Sequence, residues 1–295
     1  MKDAALEGLM ELLATQLPGI PERDLDTFAR SLSQQEPYAP LQVPDSVPCG
    51  TLRHGRHRSS TIYPGVERAY TVYVPVQYDG AADASLLVFQ DGARYLGPEA
   101  NAARVLDSLI ASADLPPTIA VFVEPGERGP GLPVYGGTDN RSLEYDSLGD
   151  AYVRFLLEEL LPDATRDYRI SSDAAQRGLV GLSSGGMCAF NAAWERPDAF
   201  GKVLSHCGSF VDIRGGDRCA QRVRHEALRP LRVYLQTGEH DLNIVFGHWL
   251  LANGQLAAAL AYRGYDHCLV VGQGGHSLRH GGALLADALR WLWRP

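Results

Sequence analysis

The chain has 295 residues, 45% of them hydrophobic, with 27 basic against 35 acidic side chains and a formal charge of -8. That apolar content excludes a disordered chain and supports a substantial core, in one large α/β domain or two small ones. The acidic balance argues against nucleic acid or an anionic membrane surface as a partner, leaving only a local basic pocket open.

Leu6, Leu9, Met10, Leu13 and Leu17 recur at helical spacing before Pro18-Gly19, predicting an amphipathic first helix. Asp3, Glu7 and Glu11 interrupt its apolar pattern, so it does not read as a signal peptide. No later run reaches the roughly 18 uncharged apolar residues of a membrane span. The expectation is a cytoplasmic protein with no membrane partner. Leu25, Phe28, Ala29 and Leu32 predict a second helix, and the four prolines of "EPYAPLQVPDSVP" predict an extended connector. Residues 1–48 therefore read as a helical N-terminal extension, serving as a cap or a homodimer contact, ahead of a main domain at 49–295.

From residue 50 the pattern turns to strands: "TLRHGRHRSS", "AYTVYVP", "SLLVFQ" and "TIAVFVEP". The last two are continuous apolar runs, as strands covered on both faces require. Tyr152, Phe155, Leu156 and Leu160 mark a helix before "RGLVGL"; "KVLSHC", "RVYLQTG" and "HCLVVG" then alternate with helices. This order predicts an α/β fold, a mostly parallel sheet flanked by helices with an antiparallel start. The cysteines, at 49, 188, 207, 219 and 268, form no Cys-x-x-Cys pair and read as reduced, mostly buried thiols.

"GLVGLSSGGMCAF" joins a strand to a helix through Gly181-Leu182-Ser183-Ser184-Gly185. A chain that turns this abruptly strains the middle residue and crowds the positions two before and two after it; glycine there relieves the crowding. Gly-x-Ser-x-Gly thus fits a nucleophile elbow that exposes Ser183 Oγ at the carboxyl end of a sheet strand. A phosphate cradle would need a following Lys or a Gly-x-Gly-x-x-Gly, and neither is present; an ordinary tight turn is the remaining alternative.

A serine nucleophile needs a base, and the base an orienting acid, in the order Ser, acid, His after successive strands. "RVYLQTGEHDLN" offers Asp241, with Glu239 as the alternative. "CLVVGQGGHSLRHGG" offers His276, preferred over His280, which falls where the next helix begins. His276 and His280 lack the Glu of a zincin site, and His54 and His57 have basic neighbours, so neither pair reads as a metal site; no metal or cofactor is implied. In "LLVFQDGARYLG", Gly92 lets the backbone turn, so the amide of Ala93 joins that of Ser184 as the expected oxyanion pair, while Asp91 fixes the loop. His206, after another strand, is expected near the pocket or as a half-buried histidine.

These residues resemble the "Putative esterase" family of α/β-hydrolases, which includes enterochelin esterases, esterase D and feruloyl esterases. The likeness runs from about residue 60 to the end through "YTVYVP", "VFQDGARY", "NRSLEYD", "GLSSGGMCAF", "SFVDIRGG", "LQTGEHDLN", "GHWLLANGQLAAAL" and "GGHSLRHGGALLADALRWLW". It implies an α/β-hydrolase fold, a Ser183, Asp241, His276 triad and a small-molecule ester substrate. The Asp91-Gly92-Ala93-Arg94 stretch also resembles the oxyanion loop of mycolyltransferases. Siderophore esterases hold catecholate trilactones with basic residues, for which only Arg94, Arg128 and Arg141 are candidates here. Arg141, Glu144 and Tyr145 are expected either to face the pocket or to lock its loop. The resulting expectation is a serine carboxylesterase; transfer of the acyl group to a sugar or alcohol, siderophore or lactone hydrolysis, and a noncatalytic binding module are the alternatives.

Overall fold

Apolar runs become buried strands and amphipathic runs become the helices that cover them. The computed structural model describes residues 4–16, 20–59, 61–127 and 140–295. Leu17, Pro18 and Gly19, Ser60, and Arg128 with the rest of 128–139 lie outside the described residues. The strands are β1 (Thr51–Arg58), β2 (Glu67–Val74), β3 (Ser85–Gln90), β4 (Thr118–Val123), β5 (Arg177–Leu182), β6 (Lys202–His206), β7 (Arg232–Gly238), β8 (Asn243–Ile244), β9 (Gly247–His248) and β10 (Asp266–Gly272). The main sheet has the order β1-β2-β4-β3-β5-β6-β7-β10, and β8 pairs only with β9. β1, β2 and β4 are antiparallel neighbours, and from β4 to β10 every pairing is parallel. β3 and β4 are buried at every position, as their unbroken apolar runs demand. The edge strand β1 instead exposes Arg53, Arg56 and Arg58.

The helices are α1 (Ala4–Gln16), α2 (Glu22–Leu32), α3 (Gly92–Leu96), α4 (Ala102–Ala111), α5 (Arg141–Tyr145), α6 (Ala151–Phe155), α7 (Leu161–Ala164), α8 (Ser184–Glu195), α9 (Cys219–His225), α10 (Trp249–Tyr262) and α11 (Arg279–Trp293). A π turn at Leu156–Leu160 joins α6 to α7. One face of the sheet is packed by α6, α8 and α10, around Phe155, Phe190, Trp194 and Leu260. The other is packed by α4 and α11, around Val105, Leu106, Leu285 and Leu289. The chain leaves β3 towards one face and β5 towards the other, so the carboxyl ends of these adjacent strands form the crevice where ligands enter such sheets. Among the described residues no helix is long and apolar enough to cross a membrane.

The N-terminal extension is not a detached appendage. Leu13, Ile20, Leu25 and Ala29 form a third core with Val211, Ile213, Leu242, Ile244 and Trp249. The proline-rich stretch is extended, as its prolines dictate, but it is docked rather than free. Glu36 accepts from the Ser277 hydroxyl at 2.7 Å, and Tyr38 stacks on His280 at 4.0 Å.

Candidate active site

Ser183 sits between the last residue of β5 and the first of α8, with φ 59° and ψ -122°. A Cβ on Gly181 would run into the carbonyl oxygen of Gly185, so the bend closes only with glycine there. The Ser183 amide donates to the His206 carbonyl at 2.8 Å, anchoring the strained residue to the neighbouring strand. Its Oγ lies 2.8 Å from His276 Nε2. His276 Nδ1 lies 2.6 Å from Asp241 Oδ1. The carboxylate also accepts from Thr237 Oγ1 at 2.7 Å and from the Leu242 amide at 2.8 Å.

Burial pushes the Asp241 carboxyl up, but His276 and these donors outweigh it and hold it below the usual carboxylate range. The ionised acid therefore accepts from His276 Nδ1–H, leaving Nε2 as the acceptor that faces Ser183. The Phe28 and Trp249 rings meet the imidazole edge-on, each at 5.8 Å. The alternative partners stand apart: Glu239 is exposed, and His280 bonds Gln236 at 3.1 Å beneath Tyr38. His54 bonds Thr71, while His57 is tucked between Glu159 and Asp163.

Cys207, Asp241 and His276 bring three potential metal donors within 4.8 Å of one another. Their chemistry does not suit a cation, because burial keeps the Cys207 thiol protonated and His276 Nδ1 is committed to Asp241.

The expected oxyanion amides are both at the crevice. Ser184 opens α8, where first-turn N–H groups have no helical carbonyl to bond. The Ala93 amide is not open, however: it donates to Glu124 Oε1 at 2.5 Å. Burial, with Asp91 adding to it, raises the Glu124 carboxyl above its usual range, against the pull of the Ala93 amide, Arg141 and Arg94.

The residues expected around the pocket divide sharply. Arg94 is exposed beside Ala93. Asp91 takes a two-point ion pair from Arg141 at 2.8 and 2.7 Å, fixing the loop after β3 to α5. Glu144 is fully buried in a two-point pair with Arg68, and Tyr145 is fully buried with its hydroxyl at the Asp91 amide. These two lock the loop and do not face the crevice. His206 is likewise fully buried, bonded to Tyr95 at 2.9 Å, with its ring held neutral by burial.

Four contributors escape a reading by motif. Ser209 Oγ lies 3.2 Å from Ser183 Oγ and 3.2 Å from Trp249 Nε1, the tryptophan beginning α10. Glu124 follows an apolar strand as an ordinary loop acid. Asp146 bonds the Ser184 hydroxyl, with burial pushing its carboxyl up to about 6. Ser31, from α2, accepts from the His276 amide at 2.8 Å.

Comparison with known proteins places the chain in a family. Residues 61–292 match the model of the family described as "Putative esterase". The chain is 27% identical over 241 residues to the iron(III) enterobactin esterase of Dickeya dadantii, covering 77% of this chain and 52% of that protein, so it spans about half that relative's length. It is 23% identical over 241 residues to the uncharacterized protein YbbA of Bacillus subtilis, covering 77% of this chain and 92% of that one. Among solved structures, a ferulic acid esterase superposes with a TM-score of 0.67 at 21% identity, covering 83% of this chain and 99% of that chain. The enterobactin esterase of Shigella flexneri does so with 0.68 at 23% identity, covering 88% and 64%. With the match running from the turn before β2 to the end of α11, on the fold these esterases share, the chain belongs to the "Putative esterase" family of α/β-hydrolases.

Proposed function

We propose that this esterase-family chain is a serine carboxylesterase working through an acyl-enzyme. The observation that carries the reading is the unbroken line of bonds from Ser183 Oγ through His276 to a buried, ionised Asp241. Ser183 Oγ attacks the ester carbonyl carbon as its proton passes to His276 Nε2, and the imidazolium is stabilised by Asp241. The tetrahedral oxyanion displaces Glu124 from the Ala93 amide and is held there and at the Ser184 amide. Collapse expels the alcohol, which takes the proton from His276. Water, deprotonated by the same histidine, then releases the acid and returns the proton to Ser183.

The substrate side is read from charge. Arg141 is committed to Asp91, which leaves exposed Arg94 as the described arginine of the predicted set that borders the crevice. That supports a small, largely neutral ester over a polyanionic trilactone. The test is turnover of p-nitrophenyl acetate and butyrate. Ser183→Ala should lose on the order of 10⁴ to 10⁶ in kcat and lose labelling by a fluorophosphonate. Wild-type turnover by that variant would overturn the assignment.

A further inference from the structure

Asp241 and His276 stand on separate loops, after β7 and after β10, and their 2.6 Å contact needs those loops held in register. One hydroxyl from the N-terminal extension touches both. Ser31 Oγ donates to the carbonyl of His240, the residue before Asp241, at 2.7 Å, and accepts from the amide of His276 itself at 2.8 Å. Ser31 is buried and is the penultimate residue of α2. A Cβ on Gly275 would strike the Ser31 carbonyl oxygen, so the helix end and the histidine loop are in direct contact. Three positions beyond Ser33, the C-cap of α2, Glu36 continues the clamp by accepting from the Gly275 amide at 3.2 Å and from the Ser277 hydroxyl at 2.7 Å. Ser31 and Glu36 both precede residue 61, where the family match begins.

We propose that Ser31 is a positioning residue for the reaction, fastening the acid loop to the base loop, with Glu36 as its second anchor. The inference rests on the proposed triad. The Ser31 hydroxyl touches no reacting atom, so it acts by setting where the imidazole stands relative to Ser183. Misplacement of a catalytic group by about an ångström costs up to roughly a hundredfold in rate while leaving the pocket's affinity largely intact.

The test compares wild type, Ser31→Ala and Glu36→Gln in the full chain, measuring kcat and KM for p-nitrophenyl butyrate and the rate at which a fluorophosphonate labels Ser183. Ser31→Ala should lower kcat about thirtyfold and slow labelling to a similar degree, with KM within about twofold; Glu36→Gln should do the same more weakly. Wild-type kcat and labelling rate in Ser31→Ala overturn the proposal, as does a loss confined to KM. Should Ser31→Ala fail to fold, Glu36→Gln alone decides on the same criteria. A wild-type protein that is never labelled at Ser183 instead sinks the triad reading, and the inference with it.

Discussion

Trp249 Nε1 stands 3.2 Å from Ser209 Oγ and, being only a donor, makes the Ser209 hydroxyl its acceptor. At the other end of the chain the Ser183 proton goes to the acceptor His276 Nε2, so in the 3.2 Å contact between the two hydroxyls Ser209 is the donor and Ser183 Oγ the acceptor. The nucleophile's hydroxyl is thus aimed before substrate arrives. Ser209→Ala should lower kcat roughly tenfold with little change in KM, and should destabilise the fold by about 1 to 3 kcal/mol by leaving the buried indole N–H unpaired. Steady-state kinetics and thermal denaturation check both; an unchanged kcat would mean that the hydroxyl chain does not matter.

The Glu124 carboxylate competes with the oxyanion for the Ala93 amide. Charged acceptors bind an amide roughly twice as strongly as neutral ones, so Glu124→Gln should raise kcat/KM several-fold at neutral pH. The gain should shrink as pH falls, because the wild-type carboxyl, raised by burial, becomes protonated and releases its hold. A variant slower than wild type at pH 8 would show that Glu124 helps rather than obstructs.

Arg68 and Glu144 have no exposed surface. Removing either partner leaves a buried charge uncompensated, so Arg68→Leu should cost roughly 3 to 5 kcal/mol of stability. Arg68→Leu combined with Glu144→Leu should recover much of that loss, as denaturant titration would reveal. A double variant no more stable than the single one would show that the pair's worth lies in its packing.

His206 makes stability depend on pH. Burial, reinforced by His280, lowers its folded-state value from 6.5 to about 3. Between these values the unfolded chain binds more protons than the folded one. The stability gained by keeping the ring neutral is fully present above about 6.5 and drains away as pH falls towards 3. His206→Asn, less stable at neutral pH, should show a shallower fall in Tm across that range; an identical slope would assign the acid sensitivity to other groups.

Much of the fold was legible because its signals are local. The buried runs of β3 and β4 announce a sheet covered on both faces, and Gly181 announces the bend at Ser183. Asp241 and His276 could be found because each follows a strand of the predicted order. Ser31 could not, since it meets His276 across 245 positions and nothing in α2 marks a hydroxyl for that purpose. Glu144 was ambiguous because a carboxylate in a loop near a pocket reads the same whether it meets substrate or an arginine. The missed sign was Arg68, a basic residue at an inward position of β2 that had to find a partner. Glu124 escaped because only folded coordinates show which amide it covers.

The exposed arginines of β1 bear on how this molecule meets its own kind. An outermost strand offers unpaired backbone groups to any passing strand, but a copy approaching this edge meets Arg53, Arg56 and Arg58 together with their acidic partners Asp167, Glu67 and Glu127. Self-association by sheet extension would have to strip water from this charged fringe, and that cost keeps the edge from adding a second copy's strand.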